Sequence, residues 1–363
     1  MTAFVEHDNP GPFATDGEIA AINLESARRG AWARFAQDPR LPGVAEEIVA
    51  NERLASQFLG DLDVLDRLDT LALQFARADE SSRAPLVQAE AASTAHRFDD
   101  ARIYLARAVR MGAPREAIEH QVLAIDQACG VELDAVLAAR QGFAMASGRL
   151  EDLVPLGAVL ADLKRFAEAD AVYRQAFSSY DDVSPFPLAW VCFQLGLLWG
   201  ELVPIPDPSL AAFWYRRAIA YLPGYVKARV HLAEIYASQG RTGDAEALLL
   251  PALSSRDPEV RWRLADVLVA QGRFEEAERQ LDAARSGFDQ LLEGHLLAFA
   301  DHAAEFYAGS GNDCRRALEL ARTNVANRPT RRALKQAHAI AMIADEAGAA
   351  SRPHEARSAG ASV

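Results

Sequence analysis

The sequence predicts an all-α protein, an α-solenoid built from antiparallel helix pairs. Three observations carry that expectation. A pattern of small and large residues returns in phase several times between Leu150 and Pro329. Its last two clear copies, opened by Leu232-Ala233 and Leu264-Ala265, start 32 residues apart, the length of one helical hairpin. Within each copy alanines stand three or four residues from large apolar residues, which places them on one helix face.

In chain order, residues 1–16 are polar, acidic and broken by Pro10 and Pro12, and are expected to form a flexible segment. Residues 17–80 read as an N-terminal helical cap of three amphipathic helices. Ile22, Ala33 and Phe35 precede a Pro39/Pro42 break, and Ile48, Leu54 and Phe58 follow it. Capping explains why this region lacks the repeat pattern, since a terminal unit has one face in water; dimerisation or partner docking is the alternative role. Residues 81–149 read as degenerate copies. Arg97-Phe98-Asp99-Asp100-Ala101 has turn-then-helix character and continues in Leu105 and Ala108 up to Pro114, while Ala135 and Ala139 fit a further copy around Gly130.

Residues 150–286 hold the clear copies. The first runs Leu156-Gly157, Leu160, Arg165-Phe166, Ala169, Tyr173 and Ala176; the second runs Leu195-Gly196, Trp199, Ala211, Tyr215, Ala218 and Pro223. The third has Leu232-Ala233, Tyr236, Gly240, Ala245, Leu249 and Ala252, and the fourth Leu264-Ala265, Leu268, Gly272, Ala277, Leu281 and Ala284. Gly157, Gly196, Ala233 and Ala265 are small enough for two helices to approach closely, and Tyr173, Tyr215, Leu249 and Leu281 are large enough to fill the space between hairpins. Gly240 and Gly272 suit the positive φ just past a helix end. A departure follows Trp199, where a segment containing Pro204, Pro206 and Pro208 lengthens and stiffens the turn within one hairpin. Residues 287–347 read as a degenerate repeat marked by Tyr307, Gly311, Ala317 and Pro329, with Thr330 to Ala347 as a capping helix, and residues 348–363 as a disordered tail.

The pattern resembles the tetratricopeptide repeat: a large–small pair, an aromatic, then alanine, a large apolar residue and alanine. The resemblance implies a right-handed superhelix in which the first helices of successive repeats line a concave groove. It also implies a partner, an extended peptide or a helix of another protein. Carried onto this chain, the groove positions are Trp190, Phe193, Leu197, Lys227, Val230, Glu234, Glu259, Trp262 and Asp266. Some members grip a C-terminal carboxylate with Lys, Asn and Arg. Here only Lys227 and Arg263 correspond and the asparagines are missing, so that clamp is not expected.

A formal net charge of −13, from 51 acidic and 38 basic residues, argues against nucleic acid as a general partner. Cys129, Cys192 and Cys314 are too far apart for a disulfide framework or a metal site. The apolar stretch from Phe186 to Val203 is interrupted by Gln194 and Glu201, so no membrane span is expected. The N-terminus lacks the basic start and apolar core of a secretion signal, and a cytoplasmic protein is the simplest expectation.

Catalytic motifs are missing: no phosphate-binding Gly-rich loop, no Gly-x-Ser-x-Gly, no His-Glu-x-x-His, no Cys-x-x-Cys. Neither catalysis nor a cofactor is expected. His295, with Asp301 and His302, comes nearest to a metal set, but seven helical residues span about 10 Å, too far for one ion, and no metal is expected. His231, beside Leu232, reads as a satisfied polar residue near the groove. Trp199 holds a packing position and Trp214 is expected to be partly buried. Trp190 and Trp262 fall on the groove face as candidate anchors, with packing against the preceding repeat as the alternative.

The expected function is therefore a protein-binding scaffold or adaptor. The runner-up is an accessory subunit that binds the substrate or the enzyme of a modifying system such as a glycosyl- or sulfotransferase. An enzyme comes third. An open groove with exposed Trp190 or Trp262 favours the scaffold; a buried ionisable cluster in a pocket favours the enzyme.

Overall fold

The computed structural model describes residues 11–350. Among them are 17 α-helices and no strand. The expectations for residues 1–10 and 351–363 lie outside the described residues, and 348–350 belong to the last helix. Residues 11–16, expected to be flexible, are docked: the Thr15 amide donates to the Val183 carbonyl at 2.7 Å, and the Tyr221 hydroxyl donates to the Pro12 carbonyl at 3.0 Å.

The N-terminal cap consists of α1 (Gly17–Gln37), α2 (Val44–Leu59) and α3 (Val64–Ala78). Asp16 starts α1 by accepting hydrogen bonds from the Glu18 and Ile19 amides. The buried stripe of α1 is Ala20, Leu24, Ala31 and Phe35, so Phe35 is core but Ile22, at 68% exposure, and Ala33 face outward. Two apolar stripes compete on this helix, and the one carrying Leu24 and Phe35 wins because it meets α2.

Next come α4 (Arg83–Thr94), α5 (Phe98–Arg110), α6 (Arg115–Cys129) and α7 (Leu133–Ser147). In α7 the buried residues are Val136, Leu137, Arg140 and Ala144. The expected Ala135/Ala139 face is one residue out of phase, and Ala135 is exposed.

The clear copies fold as the hairpins α8 (Leu150–Asp162) with α9 (Phe166–Ser178), α10 (Pro185–Leu197) with α11 (Pro208–Tyr221), α12 (Val226–Ser238) with α13 (Thr242–Leu249), and α14 (Pro258–Ala270) with α15 (Phe274–Ala308). Each helix packs on the next. The small residues do what their size suggests: a Cβ added to Gly196 would lie 2.5 Å from a Tyr215 ring carbon, and one on Gly157 equally close to Tyr173.

The proline-rich departure is a structural device. Residues Leu198–Leu202 form one π-helical turn, closed by the Val203 amide donating to the Leu198 carbonyl at 3.1 Å. Asp207 then caps α11, accepting from the Ser209 and Leu210 amides at 3.0 Å. At the other end α15 runs 35 residues, past the expected repeat end, with a break in helical geometry at His295. It is followed by α16 (Cys314–Asn327) and α17 (Arg331–Ala350).

The array closes on itself. Phe58 of α2 sits against Phe186 and Tyr225 at the starts of α10 and α12, with ring centroids 5.2 and 4.8 Å apart. Gly17 abuts the Tyr221 and Leu222 backbone, and the Arg256 amide donates to the Gly60 carbonyl at 3.3 Å. On the far side Leu65 and Ala95 cluster with Ala298. The Asn327 side chain donates to the His96 carbonyl at 3.0 Å, and Gly130 lies against Thr330. The cap thus packs along the side of the array as well as at its end, and the concave face becomes the side of a chamber.

Candidate functional site

The chamber has a volume of about 1150 Å³. Helix geometry decides what lines it, because residues three, four and seven apart share a stripe. From α8 come Pro155, Ala158 and Asp162; from α10, Trp190, Phe193 and Leu197; from α12, Lys227, His231 and Glu234; from α14, Glu259 and Arg263. The closing segments add Asp301, His302 and Glu305 from α15, Arg328 after α16, and Arg332 and Gln336 from α17. The π turn carries Glu201 onto the same surface. The wall from α8 to α10 is largely apolar, and the wall from α12 to α17 is largely charged.

Six of the nine expected groove residues line this chamber: Trp190, Phe193, Leu197, Lys227, Glu234 and Glu259. Val230, Trp262 and Asp266 do not. Val230 is core. Trp262 is 4% exposed, packs edge-on against Phe288 and Phe306, and donates its indole N–H to Ser310 Oγ at 3.0 Å. Asp266 accepts from the same Ser310 hydroxyl at 2.6 Å, away from the chamber. In their place stand His231 and Arg263, each one residue on. One residue is about 100° of helix, and at each pair the apolar member goes inward while its polar neighbour meets the cavity.

The other aromatic expectations divide. Trp199 is half-buried and donates to Asp170 at 2.8 Å, so a polar contact accompanies its packing role. Trp214 is fully in the core.

The charged wall is a ladder of pairs. His231 Nδ1 lies 2.8 Å from Glu201 and 3.6 Å from Glu234. Arg263 meets Glu234 at 2.6 Å and Glu259 at 3.3 Å while stacking on the Trp262 ring. His302 lies 3.3 Å from Glu259, and Arg328 meets Asp301 at 2.5 Å. Gln336 donates to Glu305 at 2.8 Å. His295 is turned elsewhere, with Nε2 2.9 Å from Asp66, so the three residues closest to a metal set have separate partners. Among the described residues no group of His, Cys, Asp and Glu is arranged to hold a metal ion.

These pairs set the protonation of the site. The Asp301 charge, helped by the contact with Glu259, raises His302 to about 9. Burial pushes Glu259 up, but the His302 hydrogen bond and the charges of His302 and Arg263 hold it below the usual carboxylate range. Asp301 is lowered against burial by the His302 and Arg328 charges. Burial opposes the charge on His231, yet its bond to Glu201 carries its pKa upward. Glu234 is raised by burial despite Arg263. The wall is therefore a network of mutually engaged acidic and basic side chains, with Arg263 Nε left without a hydrogen-bond partner.

Sequence reasoning did not find the contribution of Arg328, Arg332 and Gln336, nor that of Arg140 on α7. These residues reach the chamber only because the array closes, and contacts between residues near 130 and 330 leave no local signature. Glu201 did have one, the irregular segment after Trp199.

Among the described residues no helix is long and apolar enough to cross a membrane. No curated protein matches the chain. Among solved structures, the Cut9–Hcn1 hetero-tetramer of the APC/C contains a chain 11% identical, matched over 89% of this chain at a TM-score of 0.42; this chain spans 54% of that one. A tetratricopeptide repeat protein from Parabacteroides merdae is 13% identical over 73% of this chain and 100% of its own, at a TM-score of 0.41. The human IFIT1 dimer with m7Gppp-AAAA is 15% identical over 86% of this chain and 73% of its own, at 0.38. None of these likenesses speaks to what this chain binds. The family model described as tetratricopeptide repeat matches residues 226–251 and 258–283, which are α12 with α13 and α14 with the start of α15, so at these two hairpins the helical solenoid matches tetratricopeptide repeats.

Proposed function

We propose that the protein is a binding scaffold without catalysis of its own, which holds an extended segment or a helix of a partner protein inside the chamber. The observation that carries this reading is the chamber itself. It leaves about 1150 Å³ unfilled, above the range of about 300–1,000 Å³ usual for small-ligand pockets. One wall offers apolar contact through Trp190, Leu197 and Pro155; the other offers charges of both signs. A partly apolar stretch of chain bearing charges fits both. Nucleic acid and membrane are not proposed as partners.

The ionisable cluster is the feature that would favour an enzyme. Its members are engaged with each other: Glu201 with His231, Glu234 with Arg263, Glu259 with His302, Asp301 with Arg328. Perturbed pKa values in such ladders accompany structural ion-pair networks as well as catalysis. The accessory-subunit reading uses the same chamber and differs only in the identity of the occupant.

A random peptide library displayed against the full chain tests the reading. Peptides enriched on the wild type, carrying an apolar core with flanking charges and lost on Trp190→Ala, are expected. No enrichment, or enrichment indifferent to that substitution, contradicts it.

A further inference from the structure

Arg140 stands on α7 on the wall of the chamber and is only 6% exposed. Its Nε has no hydrogen-bond partner, and among the described residues no carboxylate lies within ion-pair distance of its guanidinium. Burial holds its pKa down, opposed only by the charge of Asp152. Asp152 is itself engaged, accepting from Ser147 Oγ at 2.6 Å. The half-buried arginines of the chamber differ, since Arg263 and Arg328 each meet a carboxylate through Nη2, even though Arg263 Nε is also without a hydrogen-bond partner. A buried cation without a counter-charge is among the costliest groups a fold can carry. A guanidinium in that state has open donors in a planar fork, the geometry that receives carboxylate and phosphate oxygens in pairs.

We propose that Arg140 is an anion-binding residue: the ligand of the chamber places an oxyanion, a carboxylate or a phosphate group, on this guanidinium. The apolar surface that Leu133, Pro155 and Ala158 contribute to the same wall takes the uncharged part of the ligand. Lys227 and Arg331, also on the chamber wall and exposed, form no ion pair among the described residues and add positive potential. The proposal rests on the reading of the chamber as a binding site and names the chemistry of its occupant. The position does not derive from the repeat pattern, because α7 lies in the degenerate part of the array.

Thermal melting of the full chain at constant ionic strength tests it, in sodium chloride, sodium phosphate, N-acetyl-leucine and N-acetyl-leucinamide. The wild type is expected to gain melting temperature in phosphate or in N-acetyl-leucine over chloride and over the amide. Because phosphate also stabilises folds without binding, only a response that Arg140→Met loses counts: such a response to phosphate identifies a phosphoryl group as the preferred anion, and to N-acetyl-leucine a carboxylate. Arg140→Met is expected to melt higher than the wild type without ligand, because an uncompensated charge is gone, and to bind the anion roughly tenfold more weakly or worse. Arg140→Lys, which keeps the charge and loses the fork, is expected to fall between them, and decides the matter if the methionine variant does not fold. Equal response to acid and amide, no response to either anion, or an undiminished response in both variants overturns the proposal. Anion binding without any enriched peptide upholds this site and removes the partner-segment reading. Peptide enrichment indifferent to Arg140→Met does the reverse.

Discussion

A histidine placed between two carboxylates releases its proton late. His302 touches Glu259, feels Asp301, and is raised to about 9 from an ordinary 6.5. A folded-state pKa above the unfolded one means that the charged form stabilises the fold. That contribution is fully present below about 6.5, declines as pH rises, and is gone above about 9. Because 41% of the His302 side chain remains open to the chamber, solvent screens the pair and the slope is expected to be shallow. The stability difference between wild type and His302→Gln, followed by urea denaturation, should therefore shrink from pH 6.5 to 9. A difference constant over that interval would show that the pairs do not form. His96 works in the opposite sense. Burial lowers it to about 4, so its contribution is present above 6.5 and is lost as pH falls toward 4.

Packing between elements is where the sequence was most readable. Gly196 faces the Tyr215 ring so closely that no side chain fits between α10 and α11; the sequence marks both positions by their size, while the contact itself lies within one hairpin rather than between hairpins. Gly196→Ala is expected to destabilise by about 1–3 kcal/mol through overpacking, measured by chemical denaturation; unchanged stability would place the two helices farther apart than they are. The same legibility failed by one residue on the concave stripe. Val230 and His231, or Trp262 and Arg263, are adjacent, and the family pattern does not say which of two neighbours turns inward. Burial does: the apolar side chain gains by leaving water, and the polar one takes the cavity. The phase of α1 failed for a related reason, since Ile22 and Leu24 compete for one core and only the position of α2 decides between them.

At the scale of the whole molecule almost nothing of the closure was legible. Repeat periodicity encodes contacts between neighbours, whereas the bonds from Asn327 to His96 and from His295 to Asp66 join segments more than two hundred residues apart. The expected cap consequently also packs along the side of the array, although the chamber is lined by residues from 124 onward. An open array frays from its ends; here α1 and α2 are held against α10 and α12. Amide hydrogen exchange is expected to protect α2 about as strongly as the central helix α12. Complete exchange of α1 and α2 before the central hairpins would mean that the seam does not hold.

The break at His295 gives that seam a particular position in time. Helical hairpins such as α8 with α9 or α12 with α13 need only local contacts and can assemble early. Bringing His295 to Asp66, and Asn327 to His96, requires closing a loop that contains nearly all the hairpins between them, at an entropic cost that only the final contacts repay. Until α15 bends and its second half swings onto the cap, the charged residues it carries, Asp301, His302 and Glu305, have no opposite wall. The chamber is therefore expected to be the last part of the molecule to form during folding, with binding competence arriving after the repeats themselves; in pulse-labelled hydrogen exchange during refolding, α15 beyond His295 gaining protection together with α12 and α13 would contradict it.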